Sequence, residues 1–212
     1  DTAACINPNR SDCAYPFKHL AGVGIAFNFL IALRGTLRKE GFWKDGRYPN
    51  LKEYLDIVAL GTIGDIAPLV GENRIFAKIG LELITEGKRP GIRALKEASG
   101  IDGQIVDSFK ASFCLIPRIN AAGRIASALD AVELLLAENM EEARPLAEKL
   151  DLHNRRRQAM EKDILNEILA GLGSNPDLEK MNALVFSSDK WHPGVVGIVA
   201  SRLVDLFSRP TF

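Results

Sequence analysis

The sequence predicts an α/β protein that is mainly helical: a helical body, a long connecting helix and the beginning of a second, α/β domain. Apolar residues recur at helical spacing over most of residues 20–172. The periodic segment 139–172 is much longer than an average helix. Near the end of the chain, a short apolar run, a glycine-bearing loop and another helical segment follow one another, which is typical of α/β units.

The composition is that of an ordinary soluble globular protein. The 212 residues, 47% apolar and 25% charged, suffice for one large or two small domains and exclude general disorder. The 27 basic residues equal the 27 acidic ones, so a phosphate-binding surface would have to be local. The most apolar run, residues 22–33, is shorter than the ~20 residues that a membrane span needs. We expect no membrane association.

The cysteines suggest a cytoplasmic protein, and the chain ends suggest a longer one. Cys5, Cys13 and Cys114 form no Cys-x-x-Cys pair, and reduced thiols in a cytoplasmic protein are favoured over a disulfide or half a zinc site. No signal peptide is recognisable. The chain opens on Asp1 without a methionine and closes at Phe212 near the start of a predicted strand. We therefore expect both ends to continue in a longer protein.

Four helices are predicted in the first half of the chain, at residues 20–38, 51–60, 72–84 and 92–98. The first is apolar on nearly all sides, which predicts a buried helix. The segment 61–69 contains Gly61, Gly64 and Pro68, and is predicted to interrupt the helical pattern after the second helix.

The second half centres on the long helix. Residues 109–117 are predicted as a strand or an extended approach, and 127–137 as a helix. Asn139 is predicted to cap the long helix, with Glu142 completing a capping box and Pro145 as the position of a kink. The stretch 151–157 is polar on nearly every side, which predicts a solvated segment between two globular bodies.

The domain boundary is therefore placed on this helix. The predicted units are residues 1–138, a connector at 139–173, and a second domain beginning at 174. A break at 171–176 is followed by a buried strand at 183–187, a loop at 189–194 and a helix at 195–207.

Asp65 is the first candidate for chemistry. It lies in an apolar context at a glycine-flanked turn between two predicted helices. A carboxylate held there can coordinate a hard divalent cation such as Mg²⁺ or Mn²⁺. The alternative is a helix N-cap or an Asx-turn, which aspartate commonly supplies beside glycine and proline.

The second candidate is the segment 117–124, in which Arg118, Asn120 and Arg124 stand among small residues. A guanidinium matches phosphate oxygens, and the amide of Asn120 can bond a phosphate or a base edge. A structural ion pair that holds a loop on the core explains the arginines equally well.

The third candidate is the segment 191–202. His192 precedes a predicted helix N-terminus, where exposed N–H groups and the helix dipole favour an anion, and Gly194 leaves space for it. His192 could contact a phosphate or assist proton transfer, and Trp191 and Ser201 are further candidates for substrate contact. A lone loop histidine beside a packing tryptophan is the alternative. The basic run at 155–157 is interpreted as a solvated helix face.

Taken in order, these segments resemble the RecJ family of single-strand-specific DNA exonucleases, in the DHH phosphoesterase superfamily. The matching runs are residues 6–9, 20–24, 58–62, 65–69, 71–74, 89–91, 118–124 and 191–203. Any one of them is a weak signal, but together they span almost the whole chain, and the last two are the most specific.

The resemblance implies a role for each candidate. Asp65 matches an aspartate that is a ligand of the catalytic Mn²⁺ or Mg²⁺ pair, and it is expected to be catalytic together with His192. Arg118, Asn120 and Arg124 match a motif expected near the scissile strand. Segment 191–203, with its residues Trp191, His192, Gly194 and Ser201, matches a second domain that closes over the substrate.

For the complete enzyme, the resemblance implies two-metal hydrolysis of phosphodiesters in single-stranded DNA from the 5′ end. Implied partners are single-stranded DNA and DNA-repair or single-strand-binding proteins. The family's Asp-x-Asp and Asp-His-His motifs, which supply most of the metal ligands, are absent here. We therefore expect little or no nuclease activity from this chain alone.

Two rival functions stay open at this point. One is a DHH phosphoesterase acting on short oligonucleotides, phosphoadenosine phosphate or cyclic dinucleotides. Those relatives usually carry Gly-Gly-His where this chain has Trp-His-Pro-Gly at 191–194. The other is a catalytically inactive relative that serves as a nucleic-acid-binding module.

Overall fold

The computed structural model describes residues 4–173 and 181–212, and almost all of the regular secondary structure within them is helical. The helices are α1 (Gly22–Lys39), α2 (Leu55–Gly64), α3 (Gly71–Glu86), α4 (Pro90–Ala98), α5 (Ser108–Lys110), α6 (Ile116–Ile125), α7 (Leu129–Leu136), α8 (Met140–Leu172) and α9 (Pro193–Phe207). A 3-10 turn, Leu51–Tyr54, precedes α2, and a π-helical turn, Ala111–Leu115, joins α5 to α6. None of these helices is both long and apolar enough to span a membrane.

Helix α1 is not buried as its composition predicts. Only Gly24 and Phe27 are buried, whereas Phe29 and Leu30 are 48% and 42% exposed. Its inner face packs on α2 and α3, where Phe27 meets Phe76 edge to face with ring centroids 5.3 Å apart. Apolar periodicity predicts which faces can be buried, but not whether a neighbour covers each of them.

Helix α2 continues through the glycines that were predicted to break it. It ends at Gly64, with Asp65 as its C-terminal cap residue and Ile66 in the left-handed region at φ 55°. A Cβ added to Gly61 would lie 2.8 Å from a side-chain carbon of Val23, so this glycine permits the close packing of α1 on α2. Gly61 was predicted to break the helix because Val23, the neighbour that requires a glycine at this position, is distant in sequence.

The segment 109–117 is helical, not extended. The side chain of Asp107 accepts a hydrogen bond from the Lys110 backbone N–H at 2.8 Å and so begins α5. Pro117 is the second residue of α6 and directly follows the π-helical turn. The motif 118–124 is therefore presented on a helix.

Helix α8 runs as predicted from the cap at Asn139, whose side chain accepts from the Glu142 N–H at 3.0 Å. The prediction of a solvated stretch at 151–157 is wrong in part, because Asp151 and Asn154 are buried. The first half of α8 packs in the main apolar core with α4, α6 and α7, and its second half packs against α9 through Ile164 and Ile168.

Near the C-terminus, the predicted strand at 183–187 is reduced to one parallel bridge between Leu184 and Thr211. Leu184 is buried, but Val185 is 74% exposed. The bridge is the only strand-like pairing among residues 4–173 and 181–212, so the described part of the fold is mostly helical. The predicted break at 171–176 lies partly, and the predicted domain start at 174 wholly, outside the described residues. All three cysteines are free, as expected.

Candidate nucleic-acid interface

Asp65 lies at the surface, at the C-terminal end of α2. Its backbone N–H donates to the Gly61 carbonyl at 2.9 Å, while no described residue hydrogen-bonds to its carboxylate. It therefore forms neither the N-cap nor the Asx-turn that was its alternative explanation. Together with Asn120 of α6, it lines a shallow cleft of about 390 Å³.

The described residues supply one carboxylate to a cation here, and not a full ligand set. Nowhere in 4–173 and 181–212 do three histidine, cysteine, aspartate or glutamate side chains gather closely enough to hold a metal ion. Hard divalent cations take six or more oxygen ligands, some of them water. Asp65 could supply at most one of these oxygen ligands from a single side chain, and the described residues around it supply no second carboxylate.

Arg118 does not face this cleft. Its guanidinium donates to the Asp151 carboxylate, with Nε 2.9 Å from Oδ1, and to the Cys114 carbonyl. Both members of the ion pair are largely buried, with side chains 15% and 10% exposed. Arg118 was predicted to bind substrate, but the structure gives it the structural ion pair that was the alternative.

Asn120 and Arg124 point to a second, larger cleft that adjoins the first. We call it the arginine cleft; it measures about 680 Å³ and is bounded by the end of α2, the π-helical turn, α6, α8 and α9. Arg124 is exposed, and its nearest polar contact is the Gly194 carbonyl at 3.4 Å. Within the described chain, no carboxylate pairs with it. Its charge is thus available to a ligand.

Two further arginines of this cleft, Arg157 and Arg202, were not predicted as site residues. Both are held by Glu161, whose side chain is only 2% exposed. Arg157 Nη1 lies 2.7 Å from Oε2, and Arg202 Nε lies 2.6 Å from Oε1. Three arginines against one glutamate leave the cleft positively charged.

The signal for these arginines was present in the sequence but ambiguous. Arg157 belongs to the basic run 155–157, which was interpreted as a solvated helix face. Arg202 belongs to the segment 191–203, in which the histidine and the glycines before it carry the stronger signal for an anion site. Only the packing of α9 on α8 brings both side chains to Glu161.

The residues of segment 191–202 have mainly structural contacts. His192 caps α9, with Nδ1 accepting from the Gly194 N–H at 3.1 Å. Trp191 donates from Nε1 to Glu167 at 3.0 Å and packs against the apolar residues between α8 and α9. The Ser201 hydroxyl donates to the Gly197 carbonyl at 3.1 Å. His192, Trp191 and Ser201 line neither the Asp65 cleft nor the arginine cleft.

Gly194 connects this segment to α6. A Cβ on it would lie 2.1 Å from the Arg124 carbonyl oxygen, which is far inside contact distance. The first turn of α9 therefore approaches the end of α6 as closely as only glycine allows.

Comparison with known proteins gives consistent matches along the chain. No family model matches it. The single-stranded-DNA-specific exonuclease RecJ of Salmonella typhimurium is 46% identical, over 99% of this chain and 37% of its own length. The protein of the same name from Bacillus subtilis is 41% identical, over 99% of this chain and 25% of its own length.

Solved structures agree. The crystal structure of RecJ from Thermus thermophilus in complex with Mn²⁺ matches 94% of this chain with a TM-score of 0.79 and 38% identity, over 28% of its own length. A structure of exonuclease RecJ bound to manganese matches 94% of this chain and 48% of its own, with a TM-score of 0.78 and 37% identity.

The chain thus spans between a quarter and about two-fifths of the length of these curated relatives. Identity extends along nearly all of it, and the arrangement of its helices matches those structures as well. On both grounds, this chain belongs to the RecJ family.

Proposed function

We propose that this chain is a segment of a metal-dependent exonuclease that hydrolyses single-stranded DNA from the 5′ end. Residues 1–138 would be the C-terminal part of a DHH phosphoesterase domain, 139–173 the connector, and the residues from 174 the beginning of an α/β second domain. The names of the relatives and their Mn²⁺- and Mg²⁺-bound structures support this proposal.

One observation carries the proposal for this chain's own residues. An exposed carboxylate without a partner in the described chain, Asp65, shares a cleft with Asn120, and Asn120 also lines the arginine cleft. A cation ligand thus lies beside a positively charged groove, which is what a nuclease needs to hold a phosphodiester next to its metal.

Asp65 is proposed as one ligand of a Mn²⁺ or Mg²⁺ site. When bound, such a cation supplies Lewis-acid stabilisation of the charge that develops on the phosphoryl oxygens. The chain's own residues bind and orient the strand: Arg124 and Asn120 contact phosphate oxygens, and Arg157 and Arg202 extend the positive surface. His192 is given a positioning role, because it caps the helix that holds Gly194 against Arg124.

The test uses a full-length RecJ-type protein that contains this segment. Asp65→Asn is expected to lower manganese-dependent degradation of 5′-phosphorylated single-stranded DNA about 100-fold or more, since even residues behind the metal ligands commonly cost about 10- to 100-fold. Asp163→Asn, an exposed change on α8, is the matched control and should leave the rate unchanged. Full activity of Asp65→Asn would refute the assignment of Asp65.

For the 212-residue chain alone, little or no hydrolysis is expected with Mn²⁺ present. Hydrolysis that disappears in Asp65→Asn would contradict this expectation of inactivity while supporting the role of Asp65. Hydrolysis that is equal in both preparations would indicate a contaminating nuclease.

A further inference from the structure

Two phenylalanines stand together on the surface just before the arginine motif. Phe109 and Phe113 are 65% and 66% exposed, and their rings are tilted by 37° with centroids 4.6 Å apart. The two positions are one helical turn apart across the junction of α5 with the π-helical turn. Exposing two aromatic rings to water is unfavourable, and paired exposed apolar side chains commonly mark a binding surface.

The position of the pair relates it to the charged groups. Phe113 lines the arginine cleft, which it shares with Asn120 and Arg124 of the following helix. Ile66, at the end of α2, lines the same cleft and is 89% exposed. An aromatic face thus borders a groove that three arginines make positive.

We propose that Phe113, supported by Phe109, is a stacking platform for a base of the single strand whose phosphates lie along Arg124, Arg157 and Arg202. The inference rests on the proposed function and deepens it, because it assigns contact with bases to residues that the sequence motifs leave without a role. Proteins that bind single strands combine a basic groove for the backbone with aromatic side chains on which bases stack.

The surroundings favour a nucleobase over an apolar segment of protein. A protein segment lying on Phe113 and filling the cleft would remove the adjacent guanidinium groups from water without giving them a carboxylate or phosphate, which is costly. A single strand supplies both groups that this surface can bind. Along the strand, flat bases that can stack on the ring of Phe113 alternate with phosphates that the arginines can bind. Bases in a duplex are stacked on each other and cannot meet Phe113, so the surface selects single strands.

The experiment measures equilibrium binding of the purified chain to two fluorescent 5′-phosphorylated oligonucleotides of equal length, one of thymidylate and one abasic. A chelator is present, so that no strand is cut. Phe113→Ala is expected to bind thymidylate about five-fold to more than one hundred-fold more weakly, the range expected for loss of one stacked base. Its affinity for the abasic strand should not change.

Three variants serve as controls. Phe113→Trp should retain binding, and Phe113→Leu, which keeps an apolar side chain but has no aromatic face, should lose base-dependent affinity while its circular dichroism stays that of the parent. Phe42→Ala removes an equally exposed ring, 65% exposed, which does not line the cleft and should bind like the parent.

Each of the other outcomes would refute a specific part of the proposal. Parental affinity of Phe113→Ala and Phe113→Leu for thymidylate would refute the stacking platform. Equal affinity of the parent for both oligonucleotides would also refute it, while leaving the phosphate contacts of the proposed function intact. Binding of neither oligonucleotide would overturn the strand-binding role of the cleft together with the platform.

Discussion

At the scale of single residues, a charged side chain is available to a ligand only if no neighbour already satisfies it. Arg118 and Arg124 belong to one short motif, yet Arg118 is paired with Asp151 while Arg124 has no carboxylate partner in the described chain. The cause is helical geometry: residues advance about 100° apiece around a helix, so Arg124 lies about 120° from Arg118 and on nearly the same side as Asn120. No secondary structure was predicted for residues 118–124, so this difference did not follow from the sequence.

Tyr15 gives a prediction of pH dependence at the same scale. Its hydroxyl donates to the Glu72 carboxylate, with oxygen–oxygen distances of 2.6 and 2.7 Å, and Asn28 donates to the same carboxylate at 2.8 Å. The hydrogen bond to Glu72, followed by burial, raises the pKa of Tyr15 to about 12 from its ordinary value of 10.0.

Because folding raises this pKa, the neutral phenol is the form that stabilises the fold. The contribution is complete below pH ~10 and is lost as the pH rises through about 12. We expect the free energy of unfolding, measured with urea, to fall across that window more steeply in the parent than in Tyr15→Phe. Tyr48→Phe is the control and should behave like the parent. Identical profiles for the parent and Tyr15→Phe would show that this hydrogen bond contributes nothing.

At the scale of elements, local signals were sufficient where the determinants are local. The cap at Asn139 and the end of α8 were predicted from a capping box and an apolar stripe, and both are observed. The run 109–117 failed because a short apolar segment fits a strand or a helix equally well. The discriminating signal was Asp107, which caps α5.

The other errors come from contacts that no local pattern contains. The stretch 151–157 was predicted to be solvated because its contacts are distant in sequence. Asp151 pairs with Arg118 on α6, and Arg157 shares the carboxylate of Glu161 with Arg202 on α9. Helix α1 looked buried because its composition is apolar, although described neighbours cover only one face of it. Of the residues that line the two adjoining clefts, Asp65, Asn120 and Arg124 were predicted from the sequence, whereas Arg157, Arg202 and Phe113 are brought to the arginine cleft only by the packing of helices.

Two glycines of α9 allow a matched test of the contact between α6 and α9. A Cβ at Gly194 would meet the Arg124 backbone at 2.1 Å, whereas a Cβ at Gly197 would have nothing within 4 Å. Gly194→Ala is expected to destabilise the chain by roughly 1–3 kcal/mol, as overpacking against backbone does. Gly197→Ala should stabilise it by about 0.5–1 kcal/mol, because alanine is the better helix former.

Urea unfolding of both variants measures these differences in the free energy of unfolding. The opposite signs separate a steric effect at one position from a general effect of adding a methyl group to α9. Equal and small effects at the two positions would mean that α9 does not approach Arg124 as closely as the structure shows.

At the scale of the whole molecule, charge is distributed so that a neutral protein presents a positive groove. Basic and acidic residues balance at 27 each. The arginine cleft lies where α6, α8 and α9 meet, and the buried Glu161 forms ion pairs with two of its three arginines. Under the proposed function, binding of a single strand should therefore depend on a few contacts in this cleft and not on a general attraction.

That distribution predicts a specific dependence on salt. For single strands, the logarithm of the binding constant falls against the logarithm of salt concentration with a slope of about −0.7 for each phosphate contact. Arg124→Ala should make the slope shallower by about 0.7 and weaken binding most at low salt, since it removes one such contact. Arg144→Ala is the matched control, because Arg144 is exposed, pairs with Glu97 at 3.0 Å and does not line the cleft. Fluorescence anisotropy of a labelled oligonucleotide, titrated at several salt concentrations, gives the slopes.

A slope that Arg124→Ala leaves unchanged, or that Arg144→Ala changes equally, would mean that the strand is held by the general surface charge and not by this cleft.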